Sequence, residues 1–324
     1  MNNLFSIATK ELSQDALIHW ILNWINFKEN KEMYEISINM YQYIFNEAKK
    51  HINLEEYDIK IYSQYNFIDI LVILYEKKTN KPMYAIIIED KKLTTEHNSQ
   101  MNNYKNKIIK IFENIKKENV ITVYYKPYEE ICEINADVIL NRQNLLKKVF
   151  NKNIQNDIYM DYKTYLEEIE NISNNIERIE IEKWNKHKEI FYMFAKKYKN
   201  EYKEKMKISQ VRGSTYIDCH EIKKIPYKYK AFLKSIYLSI NINYETYEIR
   251  IRGKVNKYNT EMRKIIEKQL ENIFKMEKFK IKKFIHKKGN KTINLLSLEL
   301  CKETKYNELV SKIIKIEKIL DKIS

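Results

Sequence analysis

Two short, almost continuously apolar runs constrain the fold of this 324-residue chain more than any other feature of its sequence. Residues 68–74 read IDILVIL and residues 84–88 read YAIII, with the turn-forming residues 79–82 between them. Short apolar runs bounded by turn residues predict buried strands. Residues 59–62 and residues 120–124 predict one strand before this pair and one after it. Amphipathic helices are predicted at residues 10–26, 34–51 and 97–118. The N-terminal part therefore combines strands with helices, as an α/β fold does.

The sequence predicts a first domain at residues 1–150, followed by two further segments. Residues 151–208 are polar with a narrow aromatic stripe at helical spacing, which predicts a helical connector. Residues 209–324 predict a second, α+β domain. Its strands are predicted at residues 215–221, 232–241, 244–252, 279–286 and 292–301, and its helices near residues 258–276 and 305–323.

The positive charge of the chain is confined to its C-terminal part. The net charge is +15, and residues 1–200 contain 29 basic and 29 acidic side chains, whereas residues 201–324 contain 30 and 15. A biased codon usage would act on the whole chain, so it does not explain this asymmetry. A strongly basic region attracts polyanions, which indicates that residues 209–324 contact nucleic acid.

Aromatic and basic residues alternate in this basic domain, a pattern that suits the stacking of bases and the neutralisation of phosphates. The candidate contacts are Lys228, Lys230, Arg250 and Arg252. An alternative reading is that a half-buried strand simply exposes one face, because Ile249 and Ile251 alternate with the two arginines.

Several classes of protein are excluded or disfavoured by composition. The chain has only three glycines, at positions 213, 253 and 289, so neither a dinucleotide-binding fingerprint nor a phosphate-binding P-loop can be formed. The three cysteines lie more than eighty residues apart, which indicates neither a zinc site nor a disulfide framework and suggests the reducing cytoplasm. No apolar run reaches the roughly 18 residues that span a membrane, so we expect no membrane partner.

Charged residues in the two apolar strands are the strongest chemical signal. Asp69 interrupts the first run, and Glu89, Asp90 and Lys91 directly follow the second. Alternate residues of a strand share a face, so Glu89 and Lys91 point one way and Asp90 the other. If the strands form a hairpin, Asp69 and Glu89 converge, and such carboxylates select Mg²⁺ or Mn²⁺. The alternative is a buried Asp–Lys pair, or charges that only mark strand ends.

The neighbouring helices supply further candidates. Gln100 and Tyr104 are four residues apart, so they share one face of the helix that follows Lys91. The same spacing recurs at Gln155 and Tyr159, so the spacing alone is weak evidence. The pair of Gln100 and Tyr104 is informative because it follows the acidic strand. Glu11 lies on an acidic edge of the first helix, although an exposed acid favoured by the helix dipole is the plain alternative.

Taken in order, these motifs resemble the PD-(D/E)XK nuclease superfamily, in particular a bacterial branch with an N-terminal helix of the form Glu-x-x-Gln-Asp-Ala. The matching segments are residues 10–20 (KELSQDALIHW), 68–71 (IDIL) and 88–91 (IEDK), with Gln100 and Tyr104 for the Gln-x-x-x-Tyr element. The resemblance covers about residues 9–125. Ile68 replaces the family's proline before the aspartate, and Asp90 stands where many relatives have Asn.

The resemblance implies a restriction-endonuclease-like α/β core, a mixed sheet flanked by helices, that forms the catalytic domain. Asp69, Glu89 and the backbone carbonyl of Asp90 would bind Mg²⁺ (or Mn²⁺), and Lys91 would orient the attacking water. Glu11 would hold a second metal ion or its water shell. The residues that position the site or the scissile strand would be Gln100 and Tyr104.

The leading functional prediction is a Mg²⁺-dependent nuclease that acts on DNA, and the resemblance favours a role in bacterial defence or restriction. Two alternatives stay open: a catalytically silent nuclease-fold subunit that binds DNA or assembles a complex, and an effector that cleaves RNA. A homodimer would allow two sites to cut both strands, although the sequence contains no coiled-coil heptad pattern.

Overall fold

The computed structural model divides the chain into two compact units, residues 1–171 and residues 172–324. The structure describes residues 5, 11–91, 100–130, 133–185, 189–202, 207–211, 214–222, 229–230, 232–243, 246–256, 259–282 and 292–323. The boundary falls inside the segment for which the sequence predicts a helical connector. No helix in these ranges is long and apolar enough to cross a membrane.

The first unit is built on a five-stranded mixed sheet in the spatial order β1-β2-β3-β4-β5. The strands are β1 (Tyr57–Tyr65), β2 (Ile68–Glu76), β3 (Lys81–Asp90), β4 (Val120–Lys126) and β5 (Val138–Asn141). The first three are antiparallel, whereas β3, β4 and β5 are parallel. The predicted hairpin of the two apolar runs is therefore confirmed, and β5 is an addition that the sequence did not predict.

Helices cover both faces of this sheet, as expected for an α/β unit. They are α1 (Glu11–Asn23), α2 (Lys31–Glu47), α3 (Gln100–Ile111), α4 (Arg142–Lys148) and α5 (Asp157–Asn174). Ile108 of α3 packs in one core cluster with Ile73, Ala85 and Ile87. Since these strand residues alternate with Ile86 and Ile88, α3 lies on one face of β3, and the opposite face is left to α1.

The second unit contains an antiparallel five-stranded sheet in the order β10-β9-β8-β7-β6. Its elements are α6 (Glu189–Tyr202), β6 (Lys207–Val211), β7 (Ser214–Ile222), β8 (Leu233–Asn243), β9 (Thr246–Val255), α7 (Thr260–Met276), β10 (Thr292–Glu299) and α8 (Tyr306–Ile323). Buried Ile266, Leu270 and Phe274 form the inner face of α7, which packs on β10. Most of the strand predicted at residues 279–286 lies outside the described residues, and the described part has a single bridge from Ile281 to Leu298.

Candidate active site

The charged residues at the end of β3 take opposite sides of the sheet. The ammonium group of Lys91 forms an ion pair with Glu89, so these two side chains share the face that α3 covers. Asp90 instead accepts a hydrogen bond on its Oδ1 from Gln14 Nε2 of α1. The predicted alternation is confirmed. Glu89 and Asp90 are each only 1% exposed, so both carboxyl groups have been removed from water.

The hairpin brings Asp69 to the same strand end. Ile70 pairs with Ile88 in this antiparallel hairpin. Asp69, one residue before Ile70, therefore lies opposite Glu89, one residue after Ile88. Asp69 Oδ2 accepts a hydrogen bond from the backbone N–H of Asp90 at 2.9 Å. The predicted convergence of Asp69 and Glu89 at the end of β3 is therefore confirmed as a geometric relationship.

The burial of Glu89 gives this site unusual electrostatics. The pKa of Glu89 is raised to about 7, chiefly because the carboxyl group is buried and in part because the charge of Asp69 is near, although hydrogen bonds from Lys91 and Gln100 oppose this rise. Glu89 Oε2 is buried and has no hydrogen-bond partner among the described residues. A carboxylate oxygen in this state is stabilised by a cation, because a cation compensates for the lost hydration.

Helix α3 holds the other oxygen of Glu89 in place. Gln100 Nε2 lies 2.7 Å from Glu89 Oε1 and 2.8 Å from the hydroxyl oxygen of Tyr104. The Tyr104 hydroxyl in turn donates to the backbone carbonyl of Phe67 at 2.6 Å. Burial raises the pKa of Tyr104, so its hydroxyl keeps the proton that it donates. Gln100 and Tyr104 thus connect the end of β3 to the turn between β1 and β2.

Three polar residues that the sequence did not predict as site residues complete the cluster. Gln64 Nε2 donates to Asp15 Oδ2 at 3.2 Å and to Asp69 Oδ1 at 3.3 Å. Gln64 has a φ of 52°, in the left-handed region that is unfavourable for a residue with a Cβ atom. Asp15 and Gln14 lie next to Asp90, whose pKa is well above its usual range because it is buried and faces Asp15.

Only some of these three residues had a signal in the sequence. Gln14 and Asp15 belong to the helix motif that resembles the nuclease superfamily, and their spacing from Glu11 could have added them to the candidate set. Gln64 has no such signal, since its role depends on the pairing of β1 with β2.

The remaining candidates are Glu11 in the first unit and four basic residues of the second unit. Glu11 begins α1, but its side chain lies outside the described residues, as does all of Lys228. In the second unit, Lys230 is exposed, Arg250 forms an ion pair with buried Glu248, and the Arg252 guanidinium lies 5.4 Å from the centroid of the Tyr237 ring.

The donor set at β3 fits a small divalent cation. Asp69, Glu89 and the carbonyl of Asp90 offer hard oxygen atoms, and Glu89 Oε2 is the buried atom that needs a positive partner. Within the described ranges, no group of three or more His, Cys, Asp or Glu side chains is arranged to hold a metal ion by itself. Mg²⁺ suits such a site, because it is commonly bound by one or two carboxylates together with water and substrate phosphates.

No family model matches this chain, and searches of curated proteins and of solved structures give no significant match either.

Proposed function

We propose that this protein is a Mg²⁺-dependent nuclease that hydrolyses phosphodiester bonds of DNA. The observation that carries the proposal is the state of Glu89: a buried carboxylate at a strand end, next to Asp69 and paired with Lys91. This trio is costly to assemble in a purely structural role, because two carboxylates repel each other in a desolvated site. A cation that binds both of them removes this cost.

The order and pairing of the strands and helices in the first unit support this assignment. The two acids lie on the antiparallel pair β2–β3, and α3 then leads from β3 to the parallel strand β4. We propose on this basis that the first unit is a restriction-endonuclease-like core of the PD-(D/E)XK type. The motifs that resemble that superfamily occur in the same order on α1, β2, β3 and α3.

The residues of the cluster have separable tasks in this proposal. Asp69, Glu89 and the Asp90 carbonyl would hold Mg²⁺ (or Mn²⁺), and Lys91 would stabilise negative charge that develops on the phosphate oxygens. Bound Mg²⁺ would supply Lewis acidity and a lowered pKa for the attacking water. Gln100 fixes Glu89, and Tyr104 fixes Gln100, so both act as positioning residues.

The second unit would supply affinity for nucleic acid in this proposal. Its sheet carries Arg250, Arg252 and Lys254 at alternate positions of β9, which places the three cations on one face. Such a face neutralises phosphates without reading the base sequence. Cation–aromatic contacts of Arg252 and Lys254 with Tyr237 keep the two side chains together.

The test is cleavage of supercoiled DNA, linear duplex, single-stranded DNA and RNA with Mg²⁺ or with EDTA. We expect DNA cleavage that needs Mg²⁺ and that Glu89→Ala and Lys91→Ala each abolish, while binding of substrate persists. The matched control is the pair Glu76→Ala and Lys78→Ala, because these residues repeat the Glu-x-Lys spacing at the opposite end of β2.

The other outcomes decide between the alternatives. Cleavage of RNA alone would replace DNA by RNA as the substrate. Salt-dependent binding without any cleavage would favour a silent nuclease-fold subunit. Equal cleavage by wild type and Glu89→Ala would contradict the proposed site.

A further inference from the structure

The turn between β1 and β2 presents an aromatic ring to solvent next to the candidate active site. Phe67 is 83% exposed, the highest exposure among the large hydrophobic side chains described. It lies two residues before Asp69 in the chain. Its ring therefore lies outside the core, although phenylalanine is ordinarily a core residue.

The backbone conformation of this turn is unfavourable for phenylalanine. Asn66 and Phe67 have φ values of 54° and 69°, as a two-residue type I′ hairpin turn requires. Glycine and asparagine suit these positions, whereas a bulky residue in the left-handed region is a clear outlier. Folding alone would favour glycine at position 67, because the exposed ring offers no burial to offset the strain.

The turn is held firmly against α3. The Tyr104 hydroxyl donates to the carbonyl of Phe67 at 2.6 Å, and Lys107 Nζ donates to the carbonyl of Asn66 at 3.1 Å. The same ammonium group lies 5.4 Å from the centroid of the Phe67 ring. The ring is thus presented in a fixed place, with a cation beside it, and is connected through Tyr104 and Gln100 to Glu89.

We propose that Phe67 stacks on an unpaired base of the nucleic acid substrate and that Lys107 pairs with an adjacent phosphate. This inference rests on the proposed nuclease function and specifies its substrate: single-stranded nucleic acid, or a duplex with unpaired nucleotides. In an intact duplex each base is covered by its neighbours, so a protein ring gains a base face only where the strand is open. Lys107 matches the phosphate charge, and its contacts with a carbonyl and a ring leave that charge in place.

The stacking contact can be detected without cleavage. Single-stranded oligonucleotides with 2-aminopurine at successive positions would be titrated with the full-length protein in Ca²⁺, and the fluorescence of a stacked 2-aminopurine falls. We expect one position to be quenched by wild type and by Phe67→Trp, and not by Phe67→Gly. Phe67→Gly removes the ring and also relieves the φ strain, so loss of folding does not explain its effect.

The contact would also appear in the kinetics with Mg²⁺. We expect Phe67→Gly to raise KM for a single strand roughly tenfold, the size of one base–aromatic stack, with a smaller change for intact duplex. Lys107→Ala should weaken binding of both substrates and reduce the salt dependence. The control is Phe27→Ala, which removes a ring that is 43% exposed and lies beyond the C-terminal end of α1.

The outcomes separate this inference from the proposed function. If wild type cleaves and Phe67→Gly leaves quenching and KM unchanged, stacking is wrong and the nuclease proposal stands. Quenching that depends on Phe67 without any cleavage would support stacking and contradict hydrolysis. If Phe67→Gly changes only the sedimentation of the protein, the ring contacts a second copy of the chain and the inference is overturned.

Discussion

Gln100 and Lys91 both donate to the same oxygen of Glu89, its Oε1, and leave Oε2 without a partner among the described residues. Gln100 comes from α3 and Lys91 from the residue after β3, so the carboxylate is oriented from two independent elements. This arrangement leaves the buried Oε2 for the cation that the proposed function requires. Loss of a supporting contact of this kind typically costs about 10- to 100-fold in metal affinity or activity.

Loss of the Gln100 side chain should therefore weaken the site without removing a ligand. We expect Gln100→Ala to lower Mg²⁺ affinity or cleavage by roughly 10- to 100-fold. Titration of Mg²⁺ against the cleavage rate measures it. Gln155→Ala is the control, because Gln155 has the same spacing to a tyrosine and is exposed. Equal rates for both variants would show that Gln100 does not hold Glu89.

The stability of the metal-free protein should fall as the pH rises from about 4.5 to about 7. The pKa of Glu89 is about 7 in the folded protein and 4.5 without the fold, so between these values only the unfolded chain gives up the proton. Ionisation therefore costs the folded state roughly 3 kcal/mol, fully felt above pH 7. In EDTA, we expect the free energy of unfolding of Glu89→Gln to rise by about 3 kcal/mol relative to wild type between pH 4.5 and pH 8. Urea unfolding measures this difference.

Addition of Mg²⁺ provides the control for this pH effect. The ion binds ionised Glu89, so it should stabilise wild type at pH 8 more than at pH 5, and should stabilise Glu89→Gln less at both. Parallel pH profiles for the two proteins in EDTA would contradict the raised pKa.

Two cations of β9 should contribute differently to nucleic acid binding. The guanidinium of Arg250 is paired with Glu248, which is buried and also accepts from Asn241 at 2.9 Å. Lys254 is exposed. We expect Lys254→Ala to reduce the slope of log K against log salt by about 1, and Arg250→Ala to change it less. Affinities measured between about 50 and 200 mM salt test this difference, and equal slopes would refute it.

Replacement of Arg250 should instead affect folding. Without the arginine, buried Glu248 loses the cation that pairs with it, and this should lower the free energy of unfolding by about 3 kcal/mol. Lys254→Ala should leave the stability of the protein within about 0.5 kcal/mol of wild type.

Phe67→Gly should stabilise the protein. A left-handed φ costs a residue with a Cβ atom about 1 kcal/mol, and the exposed ring of Phe67 recovers little by burial. We expect the free energy of unfolding to rise by about 1 kcal/mol. Ser63→Gly, in β1 and absent from the positive-φ residues, should instead lower it, because glycine weakens a strand and because the contact of Ser63 Oγ with His19 Nδ1 is lost. A destabilised Phe67→Gly variant would show that the ring supports the fold.

Arg142 should be essential for the stability of the first unit. Its buried guanidinium donates to Glu170 at 2.6 Å, to Glu129 at 2.9 Å and to the carbonyl of Pro127 at 2.7 Å. Arg142→Met leaves these acceptors without the shared cation, so we expect a loss of about 3 kcal/mol in chemical unfolding. Arg142→Lys should recover little, because an ammonium group cannot replace the planar fork. Lys148→Met, at an exposed position of the same helix, is the control.

The sequence predicted the long elements well and the short ones poorly. The runs that form β2 and β3 are apolar on both sides, so their strand state is evident from the residues alone. β5 and β6 span only four and five residues and were not predicted, because so short a segment has little periodicity. The pairing partner rather than the local sequence decides their conformation.

The sequence by itself determined which charged residues end the apolar strands and which of them share a face. Glu89 and Lys91 on one side and Asp90 on the other follow from the two-residue period of a strand, whatever surrounds it. The concentration of positive charge in residues 201–324 is also fixed before folding.

Only the tertiary structure decided what surrounds these residues. The bond from Gln64 to both Asp15 and Asp69 joins side chains 49 and 5 residues apart, and no local pattern specifies it. The pKa of Glu89 likewise depends on burial in the folded protein and on Asp69, which lies on another strand. Desolvation is a property of the packed environment, so the tertiary structure determines the raised pKa of Glu89. The sequence determines only that a carboxylate stands at the end of this strand.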